Sequence, residues 1–304
     1  MPAPTPTNDT DEAKSPILSV RDLWVRFQTP HGTVNAVRGI SFDVGREKVA
    51  IVGESGSGKS MTGRAVLRLT PKTAHVRAER LHLHGQDLRA LGEREMRAVR
   101  GRRISMILQD PKFSLNPVMR VGDQIAEAYR VHHAASRAEA RERALEMLAA
   151  VKIRNPRRVY ELRPHEVSGG MGQRVMIAMM LIPEPELLIA DEPTSALDVT
   201  VRMQVLAILD DLVESRGLGL MFISHDLNLV ASFCDRVLIM YAGRIVESCR
   251  AEDLRNARHG YTRGLLESLP RIDERRSRLQ VLARDPAWHD GPAIGPHAPE
   301  GSTP

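Results

Sequence analysis

The stretch Lys48–Ser60, KVAIVGESGSGKS, decides how this chain folds. Its first part, Lys48–Val52, is a short strand-like run that leads into a loop with the pattern G-x-x-x-x-G-K-[ST]. The stretch Ser60–Leu69 behind the loop contains no proline and predicts a helix. In such a loop, glycines let backbone N–H groups surround phosphate oxygens, and the helix N-terminus adds partial positive charge. The segment therefore predicts a strand, a phosphate-binding loop and a helix.

Two polar side chains of this phosphate-binding loop (Gly53–Ser60) have an expected task. Lys59 is predicted to reach the β and γ phosphates of a nucleotide, and Ser60 is predicted to ligate Mg²⁺. The residues predicted to bind nucleotide here are Gly53, Glu54, Ser55, Gly56, Ser57, Gly58, Lys59, Ser60 and Met61.

A pair of carboxylates follows a second apolar strand. The run Leu187–Ala190 is continuous and apolar, and Asp191 and Glu192 come directly after it, at the ligand-binding edge of a parallel sheet. Asp191 is predicted to hold Mg²⁺, and Glu192 to accept a proton from water that attacks the γ-phosphate.

The rest of the pattern predicts an α/β fold with two additions. Ile17–Phe27 and Val34–Val44 are rich in β-branched residues and flank a turn, which predicts an antiparallel opening. Residues 110–182 are expected to form a mainly helical insertion. Strands then alternate with helices again, which predicts a parallel sheet.

Composition limits the alternatives. The chain has 304 residues, of which 42% are hydrophobic and 27% charged, as in ordinary globular proteins. Its longest apolar run, Val175–Ile182, is far shorter than the roughly 20 residues of a membrane span. The N-terminal segment 1–16 lacks the build of a secretory signal, and it is expected to be disordered. The Pro- and Gly-rich tail, 271–304, is expected to be poorly ordered.

Several further motifs occur in a fixed order. They are Gln109 in ILQDP, Ser168-Gly169-Gly170 in EVSGGMGQRV, Ser195–Asp198 after the acidic pair, and His225 in FISHDL. Taken together, they resemble the ATP-binding cassette subunit of an ABC transporter over about residues 17–270. The resemblance implies a P-loop NTPase (RecA-like) cassette with an antiparallel β subdomain and a helical subdomain.

The resemblance also implies that two cassettes enclose two ATP molecules head to tail. Ser168, Gly169 and Gly170 would donate hydrogen bonds to the γ-phosphate held by the partner, and Asp198 would couple the two sites. Gln109 would bind Mg²⁺ or the attacking water, and His225 would contact the γ-phosphate. The predicted catalytic residues are thus Glu192, His225 and Gln109, the metal ligands are Ser60, Gln109 and Asp191, and Phe27 is the candidate for stacking on adenine.

Longer segments resemble the oligopeptide, dipeptide and nickel group of importers. They include GESGSGKS, PHEVSGGMGQRV and the C-terminal HGYTRGLLESLP (259–270), in which Gly260 replaces the proline of that group's H-P-Y-T segment. No cysteine follows Cys249, so no iron–sulfur cluster is predicted. The expected substrate is a peptide, with nickel or a metal chelate as the alternative.

The resemblance implies partners as well. These are a second, paralogous cassette, two transmembrane permease subunits and, indirectly, an extracytoplasmic solute-binding protein, at the cytoplasmic face of the inner membrane. A soluble ABC-type ATPase acting on nucleic acid is the alternative from another class, but the chain lacks the coiled-coil insertion, C-x-x-C zinc module or second cassette typical of those proteins. No nucleic-acid partner is expected. A regulatory, inactive cassette would need a damaged Lys59, Glu192 or His225, and all three are intact.

Overall fold

Two β-sheets organise the chain in this computed structural model, which describes residues 16–109, 114–195, 197–268 and 285–295. The strands in chain order are β1 (Leu18–Thr29), β2 (Gly32–Val44), β3 (Lys48–Val52), β4 (Ala74–Arg77), β5 (Arg80–Leu83), β6 (Gln86–Asp87), β7 (Ile104–Ile107), β8 (Leu187–Asp191), β9 (Gly219–Ser224), β10 (Arg236–Tyr241) and β11 (Arg244–Arg250). The helices are α1 (Lys59–Val66), α2 (Glu93–Val99), α3 (Val121–His132), α4 (Arg137–Ala150), α5 (Pro156–Glu161), α6 (Gly169–Leu181), α7 (Val199–Arg216), α8 (Leu227–Phe233) and α9 (Gly260–Glu267). Short 3-10 turns cover Pro164–Glu166, Ala251–Asn256 and Pro286–His289.

The first sheet is antiparallel, as the opening of the sequence predicts. Strands β1 and β2 form a long hairpin, and β4 and β5 pair with different parts of β1. Leu23 and Val25 of β1 are fully buried, while Arg26 between β1's apolar positions is exposed. Strands β4, β5 and β6 were not predicted because they are only two to four residues long; β4 and β6 are largely exposed, and β5 contributes only Leu81 and Leu83 to the core.

The second sheet has the order β11-β10-β3-β9-β8-β7 and is parallel except for β11. Both of its faces are covered, because alternate residues of β3 enter different cores: Ala50 and Val52 join one, and Val49 and Ile51 the other. The predicted parallel sheet is confirmed. Its order places β3 between β10 and β9, so that the phosphate-binding loop leaves the middle of the sheet at its carboxyl edge.

A layer of four helices follows β7. Helices α3–α6 all fall within 110–182, and residues 110–113 of that range lie outside the described part of the chain. Ser136 caps α4 by accepting a hydrogen bond from the backbone N–H of Glu139 at 3.1 Å, and Pro156 occupies the first turn of α5.

The end of the chain differs in part from its prediction. Residues 285–295, here called the C-terminal strap, pack on the cassette: Ile294 pairs with Glu247 of β11, and the Trp288 ring lies 6.2 Å from that of Tyr241. The Pro- and Gly-rich composition did not indicate this docking, in which Trp288 packs near Tyr241 and Ala293 is buried. The predicted disorder of 1–16 and of the rest of the tail, 271–284 and 296–304, concerns residues outside the described part, apart from Pro16 at its border.

Candidate nucleotide site

The phosphate-binding loop connects β3 to α1 through glycines that nothing larger could replace. Gly58 has φ +101°, a left-handed conformation that favours glycine. A Cβ atom at Gly58 would lie 2.2 Å from the carbonyl oxygen of Ala36, and one at Gly53 would lie 2.0 Å from that of Met240. The loop is therefore pressed against β2 and β10, and its shape is set by close backbone approach.

Lys59 folds back over this loop. Its Nζ donates hydrogen bonds to the carbonyl oxygens of Gly53 and Glu54, both at 2.8 Å, and the residue is only 5% exposed. Burial lowers the pKa of Lys59, although the carboxylates of Glu192 and Asp191 act in the opposite direction. The ammonium group is thus held inside the loop, in position to bind the phosphate oxygens of a nucleotide.

Ser60 and Asp191 meet at the base of the loop. The hydroxyl of Ser60 donates a hydrogen bond to Oδ1 of Asp191 at 2.8 Å, and Asp191 ends β8 with 3% exposure. Burial raises the pKa of Asp191, and the hydrogen bond from Ser60 partly offsets that effect. A hydroxyl and a buried carboxylate are the hard oxygen donors that Mg²⁺ prefers, so these residues fit the metal predicted from the sequence.

Glu192 turns away from the strand that carries Asp191. Its backbone has φ +46°, a left-handed conformation that is uncommon outside glycine. This turn places its carboxylate between two side chains from other loops: Nε2 of Gln109 donates to Oε2 at 3.1 Å, and Nδ1 of His225 lies 3.2 Å from Oε1. The structure therefore brings together the predicted catalytic residues, which lie far apart in the sequence.

These groups surround one cleft of about 560 Å³. Its lining residues are Ala36, Ser55, Gly56, Gly58, Lys59, Ser60, Met61, Gln109, Glu192 and His225. The hydroxyl oxygen of Ser57 is buried beside it in the same loop and has no hydrogen-bond partner among the described residues. An orphaned hydroxyl next to a cradle of glycines fits a phosphate ligand that supplies further oxygens.

The Ser168–Gly170 segment lies elsewhere. It begins α6, it is absent from the lining of the cleft as far as the described residues show, and Ser168 and Gly169 are exposed. The hydroxyl of Ser168 caps the helix by accepting from the N–H of Met171 at 3.4 Å. A Cβ atom at Gly169 would meet nothing within 4 Å, whereas one at Gly170 would lie 2.6 Å from Cγ1 of Val201.

Other predicted residues also lie outside the cleft lining: Gly53, Glu54 and Ser57 of the loop, Asp191 at its base, and Asp198 and Phe27 farther away. Asp198 is the N-cap of α7, where Oδ1 accepts from the N–H of Val201 at 3.0 Å. Phe27 pairs with Val34 and Ala74 in the antiparallel sheet and packs at the edge of its core. Ala36 of β2, not Phe27, reaches the cleft.

Sequence reasoning did not find two residues that contact the loop. Ala36 gives no signal, since nothing in its neighbourhood resembles a binding motif. Tyr261 is fully buried and accepts a hydrogen bond from the N–H of Glu54 at 3.0 Å. It lies in the HGYT segment, whose resemblance to importer sequences was the available signal.

Within the described part of the chain, every helix is too short or too polar to cross a membrane.

Comparison with known proteins agrees with this geometry. The family described as "ABC transporter" matches residues 37–195. A probable peptide ABC transporter ATP-binding protein of Sinorhizobium fredii, y4tR, is 51% identical over 89% of this chain and 81% of its own length. The oligopeptide transport ATP-binding protein OppD of Bacillus subtilis is 47% identical over 84% of this chain and 73% of its own. Among solved structures, the dimeric ATP-binding cassette MJ0796 bound to ADP and Pi has a TM-score of 0.67 and 25% identity, covering 77% of this chain and 98% of that one.

Proposed function

This chain belongs to the ABC transporter family, and on that premise we propose that it is the subunit of an importer that couples ATP hydrolysis to the uptake of peptides. It is an ATP-hydrolysing cassette of this family. The peptide substrate is supported by the names of the relatives from Sinorhizobium fredii and Bacillus subtilis. Those names favour a peptide over the nickel or metal-chelate alternative.

One observation carries the proposed mechanism: the binding and the reacting groups share one cleft. Lys59 and Ser60 line it from the phosphate-binding loop, and Glu192, Gln109 and His225 line it from other loops. A nucleotide whose phosphates lie in the loop therefore has its last phosphate facing the Glu192 carboxylate.

Ser60 and Asp191 would hold Mg²⁺, with Gln109 as a further ligand. When bound, this ion supplies positive charge that stabilises the phosphate oxygens during transfer.

The side chains of this chain then have separate tasks. Lys59 binds and orients the β and γ phosphates. Glu192 accepts the proton of the attacking water, and its contacts to Gln109 and His225 hold the carboxylate in place. His225 and Gln109 also lie where they can contact the γ-phosphate and the water, respectively.

The Ser168–Gly170 segment would complete the site of a second cassette. Its exposed position at the N-terminus of α6, where the N–H groups of Gly169 and Gly170 have no acceptor within the helix, suits it to a phosphate held by another molecule. The dimeric state of the solved cassette supports this arrangement. We propose a paralogous cassette as the partner, with Asp198 close to the junction.

The remaining partners follow from the importer assignment. Two transmembrane permease subunits would bind the cassettes at the cytoplasmic face of the inner membrane, and an extracytoplasmic protein would deliver the solute. Closure of the cassettes on ATP would move the permeases, and hydrolysis would reset them.

Glu192→Gln tests the mechanism. We expect phosphate release to fall by about 10²–10⁴-fold, the usual contribution of a general base, while ATP binding persists. Glu186→Gln is the matched control, because it makes the same change next to the opposite end of β8, where the carboxylate binds His84 and Arg103. Unchanged hydrolysis in Glu192→Gln would contradict the assignment of the base.

A transport assay tests the substrate class. In a host strain that lacks this chain, the wild-type gene should restore uptake of labelled dipeptides and oligopeptides, and Glu192→Gln should not. Restoration of nickel uptake without peptide uptake would favour the alternative substrate.

A further inference from the structure

The structure assigns a positioning task to Tyr261: we infer that its hydroxyl sets the orientation of the Gly53–Glu54 peptide group, and through it the position of Lys59 in the nucleotide site. The inference rests on the proposed role of the phosphate-binding loop in holding ATP. Tyr261 lies on α9, far along the chain from the loop, and the Tyr261 hydroxyl accepts from the Glu54 N–H at 3.0 Å.

The peptide group between Gly53 and Glu54 makes hydrogen bonds on both of its sides. The carbonyl oxygen of Gly53 and the N–H of Glu54 belong to the same planar unit and point in opposite directions across a trans bond. Lys59 Nζ binds the carbonyl at 2.8 Å, and the Tyr261 hydroxyl binds the N–H. Rotation of this peptide group would break both hydrogen bonds, so Tyr261 restrains the acceptor that holds the Lys59 ammonium group.

Tyr261 is itself fixed by its surroundings. Its ring is fully buried and lies 4.5 Å from the ring of Tyr241 and 5.9 Å from that of Trp288. The backbone before α9 is anchored on the buried Glu247, whose Oε1 accepts from the N–H of Arg258 at 2.7 Å. The Tyr261 hydroxyl therefore contacts the phosphate-binding loop from a ring that is held by this packing.

The C-terminal strap closes this support from outside. Trp288 covers Gly260, where a Cβ atom would lie 3.0 Å from the indole Nε1. A larger residue at position 260 would press on Trp288. The strap, α9 and the phosphate-binding loop are thus packed in series.

Tyr261→Phe removes the hydroxyl and keeps the ring. In a Glu192→Gln background, where bound ATP is not consumed, we expect the Kd for ATP with Mg²⁺ to rise about three- to tenfold, the value of one lost hydrogen bond. In the nucleotide-free chain, the Glu54 amide should exchange its hydrogen faster. The melting temperature should change no more than in the control.

The matched control is Tyr241→Phe, which removes a hydroxyl from the same aromatic cluster without touching the loop. It should leave both the Kd and the Glu54 exchange rate unchanged. An unchanged Kd in Tyr261→Phe would overturn the inference, even if amide exchange accelerates. So would a weaker affinity accompanied by a large fall in melting temperature, because that result would indicate general support of the fold.

Lys59→Ala in the same background separates the two levels of the argument. If Lys59→Ala weakens ATP binding and Tyr261→Phe does not, only the role of Tyr261 fails. If neither substitution has an effect, the assignment of the phosphate-binding loop as the nucleotide site fails.

Discussion

The phosphate-binding loop and the Ser168–Gly170 segment are both glycine-rich turns at helix N-termini, yet they are built in opposite ways. In the loop, Lys59 and Ser57 are about 5% exposed, and the polar groups of Lys59 and Ser60 bind neighbours within the chain. In the segment, Ser168 and Gly169 are exposed, and the Ser168 hydroxyl binds only the first turn of its own helix among the described residues. The loop thus directs the side chains of Lys59 and Ser60 to partners within its own chain, whereas the segment is exposed at the surface.

The glycines of the two regions sharpen the contrast. Gly53 and Gly58 have no room for a Cβ atom, and Gly170 has none either because of Val201. Gly169 alone of these four stands in open space, so packing within this chain does not require glycine there. A glycine without an internal reason is consistent with close approach by another molecule, as the proposed cassette dimer demands.

The largest expected effect is that of a substitution in the Ser168–Gly170 segment, which should reduce ATP hydrolysis but not ATP binding by the isolated chain. Gly169→Asp places a carboxylate where the partner's γ-phosphate would lie, so ATP hydrolysis should fall by about 10²–10³-fold. The fold should stay intact, since an acidic residue in the first turn of a helix is favourable. Phosphate release, melting temperature and ATP binding by the isolated chain measure these effects. If ATP binding by the isolated chain falls as well, the two regions are not independent.

Lys59→Ala tests the phosphate-binding loop, the other region of the comparison. It removes a charged donor from the loop, and the Kd for ATP should rise about 10- to 100-fold, as measured by titration calorimetry. Lys72→Ala, at an exposed position, serves as the control and should bind ATP as the wild type does. Equal affinities in the two variants would show that the loop does not depend on its lysine.

Gly170→Ala should act on stability, unlike Gly169→Asp. Its Cβ atom would overlap Val201, and overpacking of this kind costs about 1–3 kcal/mol in the free energy of unfolding. Val201→Ala in the same chain should recover most of the loss, because it removes the clashing methyl groups. Urea denaturation of the single and double variants checks this, and additive losses would contradict the packing explanation.

The smallest expected effect concerns the cost of burying Asp191. Its raised pKa means that the folded chain holds this proton more tightly than the unfolded chain does. The free energy of unfolding therefore falls as pH rises from the ordinary aspartate pKa through the raised one, and the deficit remains at neutral pH. Without nucleotide and Mg²⁺, Asp191→Asn should melt at most a few degrees higher at neutral pH, and this gain should shrink on acidification. Asp211→Asn, at an exposed site, should show no such pH-dependent gain.

The sequence predicted those features of the structure that depend on residues close together in the chain. The phosphate-binding loop, β8 with Asp191 and Glu192, and the parallel sheet all follow from contiguous residues whose spacing carries the signal. Strands β4–β6 were missed because they are held by pairing with β1 and β5, not by their own polar residues. The contact of Tyr261 with Glu54 joins residues 207 positions apart, and no periodicity reports such a pair. The expected stacking of Phe27 on adenine stays a prediction. Phe27 lies on β1, whereas the residue of this sheet that lines the cleft is Ala36 on the adjacent β2.

The order of strands in the parallel sheet also determines when, during translation, the central strand β3 gains its neighbours. Strand β3 lies between β9 and β10, and β10 ends 193 positions after β3 begins. At about 5–20 residues per second, a ribosome needs roughly 10–40 s to make that stretch. The nascent β3 lacks both neighbours until β9 has been made, and the glycine loop lacks the Met240 backbone against which it rests until β10 follows. The phosphate-binding loop therefore lacks part of its supporting backbone until Met240 has been translated.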